Sequence, residues 1–358
     1  METKAKIDNL LHRLSKKPKF NIVISLLFFM MFGISFSLIY LDSVAIKDQI
    51  DNDFNEQQMI LARQASSQVS FYLDNLEIQF RSLGRFCRTG SAETRRIAIT
   101  TMFEQNKGIG LLDIGYIDET GNITDYLSDG NFNPPDSAAL KLFDAEATTD
   151  DILRLGAMIV IRKKQDSILI ASNISTKVLS SGKKAGVIFC RIDVLRFLRK
   201  ITGSVRSGRT GYSWVIDDTG LALYHPEKEF VGRNIFEARQ ERKPYVNFTQ
   251  INQIMKERMM KGEEGMSSYE SWWHRDLKGK VTKLIAFTPI KHHSLPAGKM
   301  WSIAVVAPTS EVAEAVDDAY LRHFAAEGFL ILGMFLFAAM MLIDRKSTRL
   351  NSSHGKLS

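Results

Sequence analysis

Aromatic side chains that carry a polar group are concentrated between residues 212 and 274, and such side chains commonly line small-molecule pockets. Strand alternation places Tyr212 and Trp214 on one face, which core packing explains equally well. Trp272 and Trp273 are adjacent, so on a strand they point to opposite faces, and one of them is expected to line a groove, a pocket or an interface. The candidate binding residues of this region are Tyr212, Trp214, Tyr224, Trp272, Trp273 and His274.

A second group of candidates lies earlier in the chain, on segments with the pattern of short strands. Arg162 is the most specific of them, because a guanidinium can hold a carboxylate through two hydrogen bonds. The alternative is that Arg162, Lys163 and Lys164 form a solvated turn. The candidate binding residues here are Tyr116, Tyr126, Arg162 and Asn173.

Patterns for catalysis or metal binding are weak. His292 and His293 are adjacent, so a strand would point them to opposite faces, and no Cys, Asp or Glu lies within five residues of either. This spacing favours an exposed loop over a metal site. Gly108 and Gly110 lack the rest of a dinucleotide fingerprint, and neither a nucleophile elbow nor a phosphate loop occurs. The sequence therefore predicts no catalytic site, no metal and no cofactor.

Cys87 and Cys190 are the only cysteines of the chain. An oxidising compartment would permit them to form a disulfide, although no feature of the sequence brings them together. The alternative is that both are unpaired small apolar side chains.

The net charge of +7 comes from the two ends of the chain. Residues 1–19 hold six basic and two acidic residues, and residues 344–358 hold four basic residues and one acidic residue. The rest carries 37 residues of each sign, so we expect no nucleic-acid partner.

Two apolar runs are candidates for crossing a membrane. Residues 20–41 contain no charged residue, and at about 1.5 Å per residue they are long enough for a hydrocarbon core of about 30 Å. Residues 324–343 form a shorter candidate, with 16 uncharged residues from Gly328 onward. The basic residues before the first run are expected to stay in the cytoplasm, which sends the chain from Asp42 onward across the membrane. A signal peptide cleaved after Ser43-Val44-Ala45 is the alternative, but the apolar run exceeds a typical signal-peptide core.

The region between these runs has two kinds of pattern. Apolar residues from Ile46 to Leu83 recur every three, four or seven positions and predict one long helix within residues 42–89. Beyond Gly90, short strands and helices alternate, which predicts an α+β fold with antiparallel sheets. Helices are predicted at 93–106, 194–201 and 249–261, and strands at 111–117, 123–127, 158–162, 167–174, 185–192, 213–217, 221–225, 266–272, 283–289 and 300–307.

A short repeat indicates that the strand-rich region is duplicated. Residues 117–121 and 216–220 match at four of five positions and lie 99 residues apart, each between two predicted strands. In each copy an Asp can bind the turn backbone and a Gly can adopt positive φ. The predicted structural turn residues are Asp118, Gly121, Asp217 and Gly220. The repeat within similar element orders predicts two tandem sheet modules.

These features resemble a known family, the double Cache sensor domain of bacterial transmembrane receptors. The resemblance rests on the long helix after a membrane anchor, on Gly211 to Gly220, on His225-Pro226 and on residues 231–234. Residues 287–290 and 301–308 are similar to the closing strands of that family. The resemblance covers residues 42–320, more closely over 186–312 than over 90–185. It implies two PAS-like modules, with a small extracellular ligand usually bound in the membrane-distal one.

The resemblance also implies a signalling output inside the cell. The first hypothesis is the input region of a sensor histidine kinase, cut before its catalytic part. The alternatives are a diguanylate cyclase, a chemoreceptor, or a membrane-anchored binding protein with no output domain. Dimerisation through the long helix is expected. Members that bind amino acids carry an Arg-x-Trp-Tyr type motif after the first hairpin, and residues 124–151 contain neither Trp nor Arg, which argues against an α-amino acid ligand.

The chain is therefore predicted to lie in the bacterial inner membrane, with its central part periplasmic or extracellular. Residues 344–354 can be encoded without mismatch by a common sequencing-library adapter, which predicts that residues 344–358 are adapter read-through. The alternative is a short basic cytoplasmic tail. The predicted divisions are a cytoplasmic N-terminus (1–19), a transmembrane helix (20–41), a long periplasmic helix (42–89), a membrane-distal module (90–192), a membrane-proximal module (193–322), a second transmembrane helix (324–343) and the C-terminal stretch (344–358).

Overall fold

The structure is a computed structural model of the 358-residue chain. It describes residues 18–118, 120, 122–132, 154–155, 159–162, 168–178, 186–275, 277–295, 299–312 and single positions or short stretches between 321 and 335. For the strands within 154–178, only the backbone is described. The predicted turn residue Gly121 lies outside the described residues, as do the side chains of Arg162 and Asn173.

The chain forms two compact units. The larger unit, residues 54–311, contains both sheets, and the smaller unit consists of residues 1–53 and 312–358. The described residues of the smaller unit are helical. Among the residues described, no helix combines the length and the apolar character that a membrane crossing requires. The two transmembrane helices thus stay predictions.

Helix α1 runs from Pro18 to Thr89 and confirms the long helix predicted from the sequence. In its part from residue 54 onward, one stripe is buried at intervals of three or four positions, as in an amphipathic helix packed on a core. Gly90 follows the end of the helix, and Ser91 then caps a second helix by accepting a hydrogen bond from the Thr94 amide at 3.2 Å. The buried stripe consists of Ala62, Ala65, Val69, Leu73, Leu76, Phe80, Leu83 and Cys87.

The remaining helices agree with the predictions, apart from one segment whose structure differs and one helix that was not predicted. Residues 249–261 were predicted as one helix, but they form a short helix, a wider π-type turn at Ile254–Arg258 and a 3-10 turn at Met259–Lys261. Helix α4 is an addition, and Asn234 caps it through a 3.1 Å bond from the Phe236 amide. The helices after α1 are α2 (Ala92–Asn106), α3 (Val194–Thr202), α4 (Ile235–Arg242) and α5 (Thr249–Gln253), with a 3-10 turn at Lys107–Ile109.

The first sheet has seven strands in the part of the chain that is described, and every pairing is antiparallel. The spatial order is β3-β2-β1-β7-β6-β4, and β5 also pairs with β6. Its strands are β1 (Leu111–Ile117), β2 (Ile123–Ser128), β3 (Asn131–Phe132), β4 (Arg154–Leu155), β5 (Ile159–Arg162), β6 (Ile168–Val178) and β7 (Gly186–Asp193).

The second sheet has five strands among the described residues, and again every pairing is antiparallel. The spatial order is β10-β11-β12-β8-β9. Its strands are β8 (Tyr212–Asp217), β9 (Ala222–Tyr224), β10 (Gly265–His274), β11 (Leu277–Ile290) and β12 (Trp301–Pro308). Together the two sheets and the long helix confirm the predicted α+β fold with tandem antiparallel modules. We call the first sheet with its helices the distal module and the second the proximal module.

The repeated turn has the same hydrogen bonds in both modules. Asp118 Oδ1 accepts from the Thr120 amide at 2.9 Å and from the Asn122 amide at 3.0 Å. Asp217 Oδ1 accepts from the Thr219 amide at 2.8 Å and from the Leu221 amide at 2.9 Å. Gly220 has φ +83°, the positive value predicted for it. The short repeat in the sequence therefore corresponds to one turn geometry built twice.

The two faces of the proximal sheet belong to different cores. Val215, Leu223 and Ile303 join the core that also contains the buried stripe of α1 and residues of the distal sheet. The opposite face packs against α4 and the segment from α5 to residue 261. Because strand side chains alternate, Tyr212, Trp214 and Ile216 all lie on this second face, as predicted.

Cys87 and Cys190 are buried, and no disulfide joins them, which agrees with the second of the two alternatives left open by the sequence. Cys87 belongs to α1 and Cys190 to β7, and both lie in the core shared by α1 and the two sheets. Burial raises the pKa of the Cys87 thiol to about 12, which keeps it protonated. Both side chains therefore pack as small apolar groups.

Candidate ligand-binding site

The second face of the proximal sheet and the helices that cover it enclose a cavity of about 10 Å³. This space admits one water-sized group. Its walls are mainly aromatic, and Phe230 stacks on Trp273 with ring centroids 5.6 Å apart. The aromatic lining residues are Tyr212, Trp214, Phe230, Phe248, Tyr269 and Trp273. We call this cavity the proximal pocket.

Lys283 extends into the proximal pocket from β11. It lies opposite Tyr269 in the strand register, and only 1% of its surface is exposed. Its Nζ donates to the Tyr212 hydroxyl at 3.1 Å and lies 5.4 Å from the centre of the Tyr212 ring. Burial, followed by the nearby charge of Arg239, lowers the pKa of Lys283 to about 7.

Arg239 enters the same pocket from α4 and is 6% exposed. Its Nη1 lies 2.9 Å from Sδ of Met255, and its guanidinium carbon lies 5.8 Å from the centre of the Trp214 ring. Burial lowers the pKa of Arg239 below its ordinary value. Two cationic side chains therefore converge on one small, aromatic-walled space.

Neither cation has a carboxylate partner within the described residues. Glu227 raises the pKa of Lys283 at longer range, but its carboxylate pairs with Arg242 at 2.9 Å. Glu270 lines the pocket, yet it pairs with Lys280 at 2.6 Å. Burying a cation without an opposite charge is costly, because the low dielectric penalises the charged form. The site is arranged so that an anionic group would complete it.

The His225 side chain supplies a neutral polar group at the pocket wall. Burial, followed by the charge of Arg239, holds the pKa of His225 well below its usual range. Its Nδ1 accepts a hydrogen bond from the Glu227 amide at 2.9 Å, so the ring proton lies on Nε2. The ring packs edge-on against Phe230, with centroids 4.7 Å apart. His225 is therefore a neutral hydrogen-bond donor beside two cations.

A chain of contacts leads from the pocket to the end of the proximal module. The His274 ring stacks on Tyr212 with centroids 5.1 Å apart, and its Nε2 lies 2.8 Å from the Thr210 hydroxyl. The Glu311 carboxylate accepts from the amides of Arg209 at 2.6 Å and Thr210 at 2.9 Å. These contacts connect the pocket wall to residue 311, where β12 has already ended.

The chain matches the Cache domain family over residues 43–316, which is most of its length. The chain belongs to the double Cache family. Cache domains are extracytoplasmic sensory modules of signalling receptors, and they bind ligands without catalysing a reaction. The resemblance seen in the sequence is thereby confirmed. None of the curated proteins compared with the chain matched it.

Solved structures of sensory domains share the double Cache fold at low sequence identity. The sensory domain of the Campylobacter jejuni chemoreceptor Tlp3 matches with TM-score 0.51 and 11% identity over 75% of this chain and 97% of that one. A domain of a sensory box/GGDEF family protein from Vibrio parahaemolyticus gives 0.51 and 14% over 74% and 99%. The extracellular domain named for the histidine kinase vpHK1S-Z8 gives 0.52 and 13% over 75% and 96%. Identities this low establish a common fold.

Three of the six aromatic candidates in the proximal Cache module meet at the pocket, namely Tyr212, Trp214 and Trp273. Trp272 is 36% exposed and points away from it, so the adjacent tryptophans separate as predicted. His274 lies behind Tyr212, and Tyr224 packs in the core on the opposite face of the sheet. The pocket therefore uses three of the six predicted side chains.

The distal Cache candidates that are described are held by neighbouring side chains. The Tyr126 hydroxyl donates to Asp113 at 2.9 Å and accepts from Arg191 at 3.1 Å. Tyr116 lies under the guanidinium of Arg95, 5.6 Å from its ring centre. The two tyrosines belong to different apolar clusters of the distal sheet, so they do not converge. Arg162 and Asn173 lie on β5 and β6, and their side chains are not among those described.

Sequence reasoning missed Lys283 and Arg239, the two cations of the pocket. A signal for each existed in the sequence. Lys283 alternates with Ile285 and Phe287, which places it on their face of the strand. Arg239 follows Ile235 by four positions, which places it on the buried side of α4. In both cases a basic residue occurs in phase with buried apolar residues.

Proposed function

We propose that the chain is the small-molecule sensing region of a bacterial transmembrane receptor and that its proximal pocket binds a small carboxylate. One observation carries the proposal: Lys283 and Arg239 are both buried at one cavity, and among the described residues neither has a carboxylate partner. A carboxylate would supply the missing negative charge. It would also accept the hydrogen bonds that a guanidinium and an ammonium group can donate.

The size of the pocket restricts the ligand. A space of about 10 Å³ accommodates one water-sized group, which is smaller than a carboxylate, so the cover has to move for any acid to bind, and further for a longer one. The cover includes Arg239 on α4 and Ile251 on α5, and it continues into the wide turn at Ile254–Arg258. Wide turns of this type recur at functional sites. A ligand that binds better to a displaced cover shifts the population toward that conformation, which is the physical basis of sensing.

The proposed experiment is a thermal-melting screen of the full chain in lipid nanodiscs, followed by tryptophan fluorescence. Formate, acetate, propionate and benzoate are tested against adenine and glucose. We expect a carboxylate to raise the melting temperature, because a ligand that binds only the folded state stabilises it. Lys283→Met should abolish the shift. The matched control is Lys280→Met, since Lys280 is on the same strand but forms an exposed ion pair with Glu270. Absence of any carboxylate-dependent shift, or a full shift in Lys283→Met, would overturn the proposal.

An α-amino acid bound in the distal module is the second candidate. Its support is the fold shared with Tlp3 of Campylobacter jejuni, which has been solved with isoleucine bound and in complex with L-valine. The absence of Trp and Arg from residues 124–151 argues against it. Isoleucine and valine belong in the same screen, and a shift that persists in Lys283→Met would favour this candidate over the proximal pocket.

The output that we propose is a sensor histidine kinase, with a diguanylate cyclase and a chemoreceptor as alternatives. A membrane-anchored binding protein without an output domain is the alternative from another class. The support is that solved structures of similar fold come from a chemoreceptor and from proteins named for a histidine kinase and a GGDEF family. The downstream reading frame in an intact genome discriminates among the four.

We also infer that the receptor is a homodimer that associates along α1. Ile60, Phe71 and Ile78 are 61%, 62% and 63% exposed. Their spacings of 11 and 7 residues bring them to one face of a helix with 3.6 residues per turn. That face is opposite the buried stripe, so an exposed apolar row runs along the helix. A second copy of the same row is the occupant that symmetry favours.

A further inference from the structure

Two histidines and two carboxylates meet where α1 passes the loop after β11. Asp74 and Glu77 belong to α1, and His292 and His293 come shortly after the end of β11. One potential ligand atom from each of the four lies within 4.8 Å of every other. The histidines are more than 200 residues from the carboxylates in the chain. We call this group the His-carboxylate cluster.

The contacts within the cluster are already those of paired donors and acceptors. His292 Nε2 lies 2.9 Å from Asp74 Oδ1, and His293 Nε2 contacts Glu77 Oε2. The two imidazole rings lie with centroids 4.2 Å apart and an interplanar angle of 31°. Both Nε2 atoms therefore face α1, in contrast to the opposite orientations that a strand would give.

Independent contacts hold the loop on the helix. The Ser66 and Ser70 hydroxyls on α1 donate to the carbonyls of Pro289 at 2.9 Å and Lys291 at 3.3 Å. The loop closes through a 3.1 Å bond from the Leu295 amide to the His292 carbonyl. The backbone that carries the two histidines is thus held on α1 by contacts outside the cluster, which is part of the preorganisation that a metal site needs.

Burial within the cluster is graded. The His292 side chain is 4% exposed and that of Glu77 is 9% exposed, whereas His293 is 49% and Asp74 57% exposed. One ligand of each type is therefore shielded, and one of each type opens to solvent. Glu77 Oε1 also accepts from Arg81 at 2.5 Å, which leaves its second oxygen for the cluster. An ion can enter from the exposed side and find a fixed inner pair.

The surroundings of His292 allow Nε2 to act as a ligand. Its Nδ1 lies 2.7 Å from the Ser294 hydroxyl, which can accept a hydrogen bond from the protonated nitrogen. In that tautomer the lone pair of Nε2 points at Asp74 and is free for a metal. In the other tautomer Nδ1 accepts from the Ser294 amide at 3.1 Å, and a metal at Nε2 would select against it. A histidine ligand whose second nitrogen is oriented by a neighbour is the usual arrangement at metal sites.

We propose that the His-carboxylate cluster binds a divalent transition-metal ion of the Zn²⁺ type. Two imidazole nitrogens with two carboxylate oxygens suit Zn²⁺, Cu²⁺ or Ni²⁺ better than the all-oxygen preference of Mg²⁺ and Ca²⁺. Tetrahedral Zn²⁺ with bonds of about 2.0–2.1 Å needs ligand atoms about 3.3 Å apart. The four atoms, now within 4.8 Å, would have to close by rotamer adjustment of the two exposed side chains.

A bound ion would cross-link α1 to the proximal module. Asp74 and Glu77 lie on the flank of α1, between its buried stripe and its exposed apolar row. Displacement of α1 past the loop would then require breaking coordination bonds in addition to the serine hydrogen bonds. The metal would act as a second input, separate from the proximal pocket.

The test uses the purified full chain, freed of metal with EDTA and dialysed. ZnCl₂ is titrated in competition with a fluorescent zinc chelator, and the product is examined by X-ray absorption at the zinc edge. We expect one Zn²⁺ per chain, a spectrum with imidazole nitrogen and carboxylate oxygen at about 2.0 Å, and no competition by MgCl₂ or CaCl₂. The melting temperature should rise by about 5 °C at a roughly 100-fold excess over Kd.

Two variants and one control separate a metal site from a set of ion pairs. His293→Gln and Glu77→Gln should each weaken Zn²⁺ binding about 10-fold or more, since each removes a ligand and keeps a similar shape. Glu264→Gln is the control, because it breaks another link between α1 and the proximal module, the 2.6 Å pair with Arg63, and contains no cluster residue. It should leave Zn²⁺ affinity unchanged.

Three results would overturn the proposal. They are the absence of stoichiometric Zn²⁺ binding, a Zn²⁺ affinity of His293→Gln and Glu77→Gln that equals that of the unaltered chain, and an absorption spectrum with oxygen ligands alone. Asp74→Asn, at an exposed position, serves as a further ligand variant if His293→Gln does not fold.

Discussion

Binding of acetate, or of the best-binding acid of the screen, to the proximal pocket is expected to take up a proton above neutral pH. The reason is Lys283, whose pKa burial has lowered to about 7. At about pH 8 a group with a pKa of about 7 is about 90% neutral. A carboxylate beside Nζ favours the charged form and raises that pKa again. Each binding event should therefore take up about 0.9 proton at about pH 8.

Isothermal titration calorimetry at that pH in phosphate and in Tris measures this number directly. The two buffers differ in their enthalpy of ionisation, so the dependence of the observed heat on the buffer gives the protons exchanged. The affinity should also fall about tenfold per pH unit above pH 7 until the pKa of the bound state is reached. Lys283→Met should give no binding heat in either buffer, and Lys280→Met should keep both the binding and its buffer dependence. Equal heats in both buffers at about pH 8, with binding present, would refute the reasoning.

Three further predictions concern stability and assembly. Because the folded pKa of Lys283 lies below its ordinary 10.5, the unfolded chain binds more protons between the two values. The free energy of unfolding without ligand should therefore rise from pH 7 to pH 10, by about 3–4 kcal/mol. Denaturant unfolding at several pH values should show a smaller rise in Lys283→Met. Phe71→Glu should shift the full chain from dimer toward monomer in light scattering, whereas Gln68→Glu, exposed on the flank of the same helix, should not. Glu311→Gln should lower the free energy of unfolding by about 1–2 kcal/mol, because its charge strengthens the bonds from the Arg209 and Thr210 amides, and an unchanged melting temperature would contradict this.

The elements were largely predictable because their signals are local. The buried stripe of α1 follows from residues three and four positions apart, and the sequence shows that spacing directly. The boundaries of β1 agree with the prediction at both Leu111 and Ile117. The helix predicted at 249–261 was only partly right, since the change to a wide turn at Ile254–Arg258 has no signature in apolar spacing.

The proximal pocket was predictable in part. Alternation placed Tyr212 and Trp214 on one face, and adjacency separated Trp272 from Trp273. The burial of Lys283 and Arg239 was not predicted. A basic residue at a position that matches the apolar spacing is also common at the surface, where its methylene groups pack on the core and its charge stays in water. Which of these occurs depends on whether another element covers the charged end.

The order of the residues was enough to predict a long amphipathic helix, two related antiparallel modules and a turn built twice around an aspartate. Each of these depends on spacings of a few residues or on a repeated motif. The folded chain was needed to show that Lys283 and Arg239 share one buried cavity, and that His292 and His293 face Asp74 and Glu77 across more than 200 residues. The physical reason is that such distances are set by how helices dock on sheets, and docking depends on the shape of whole surfaces.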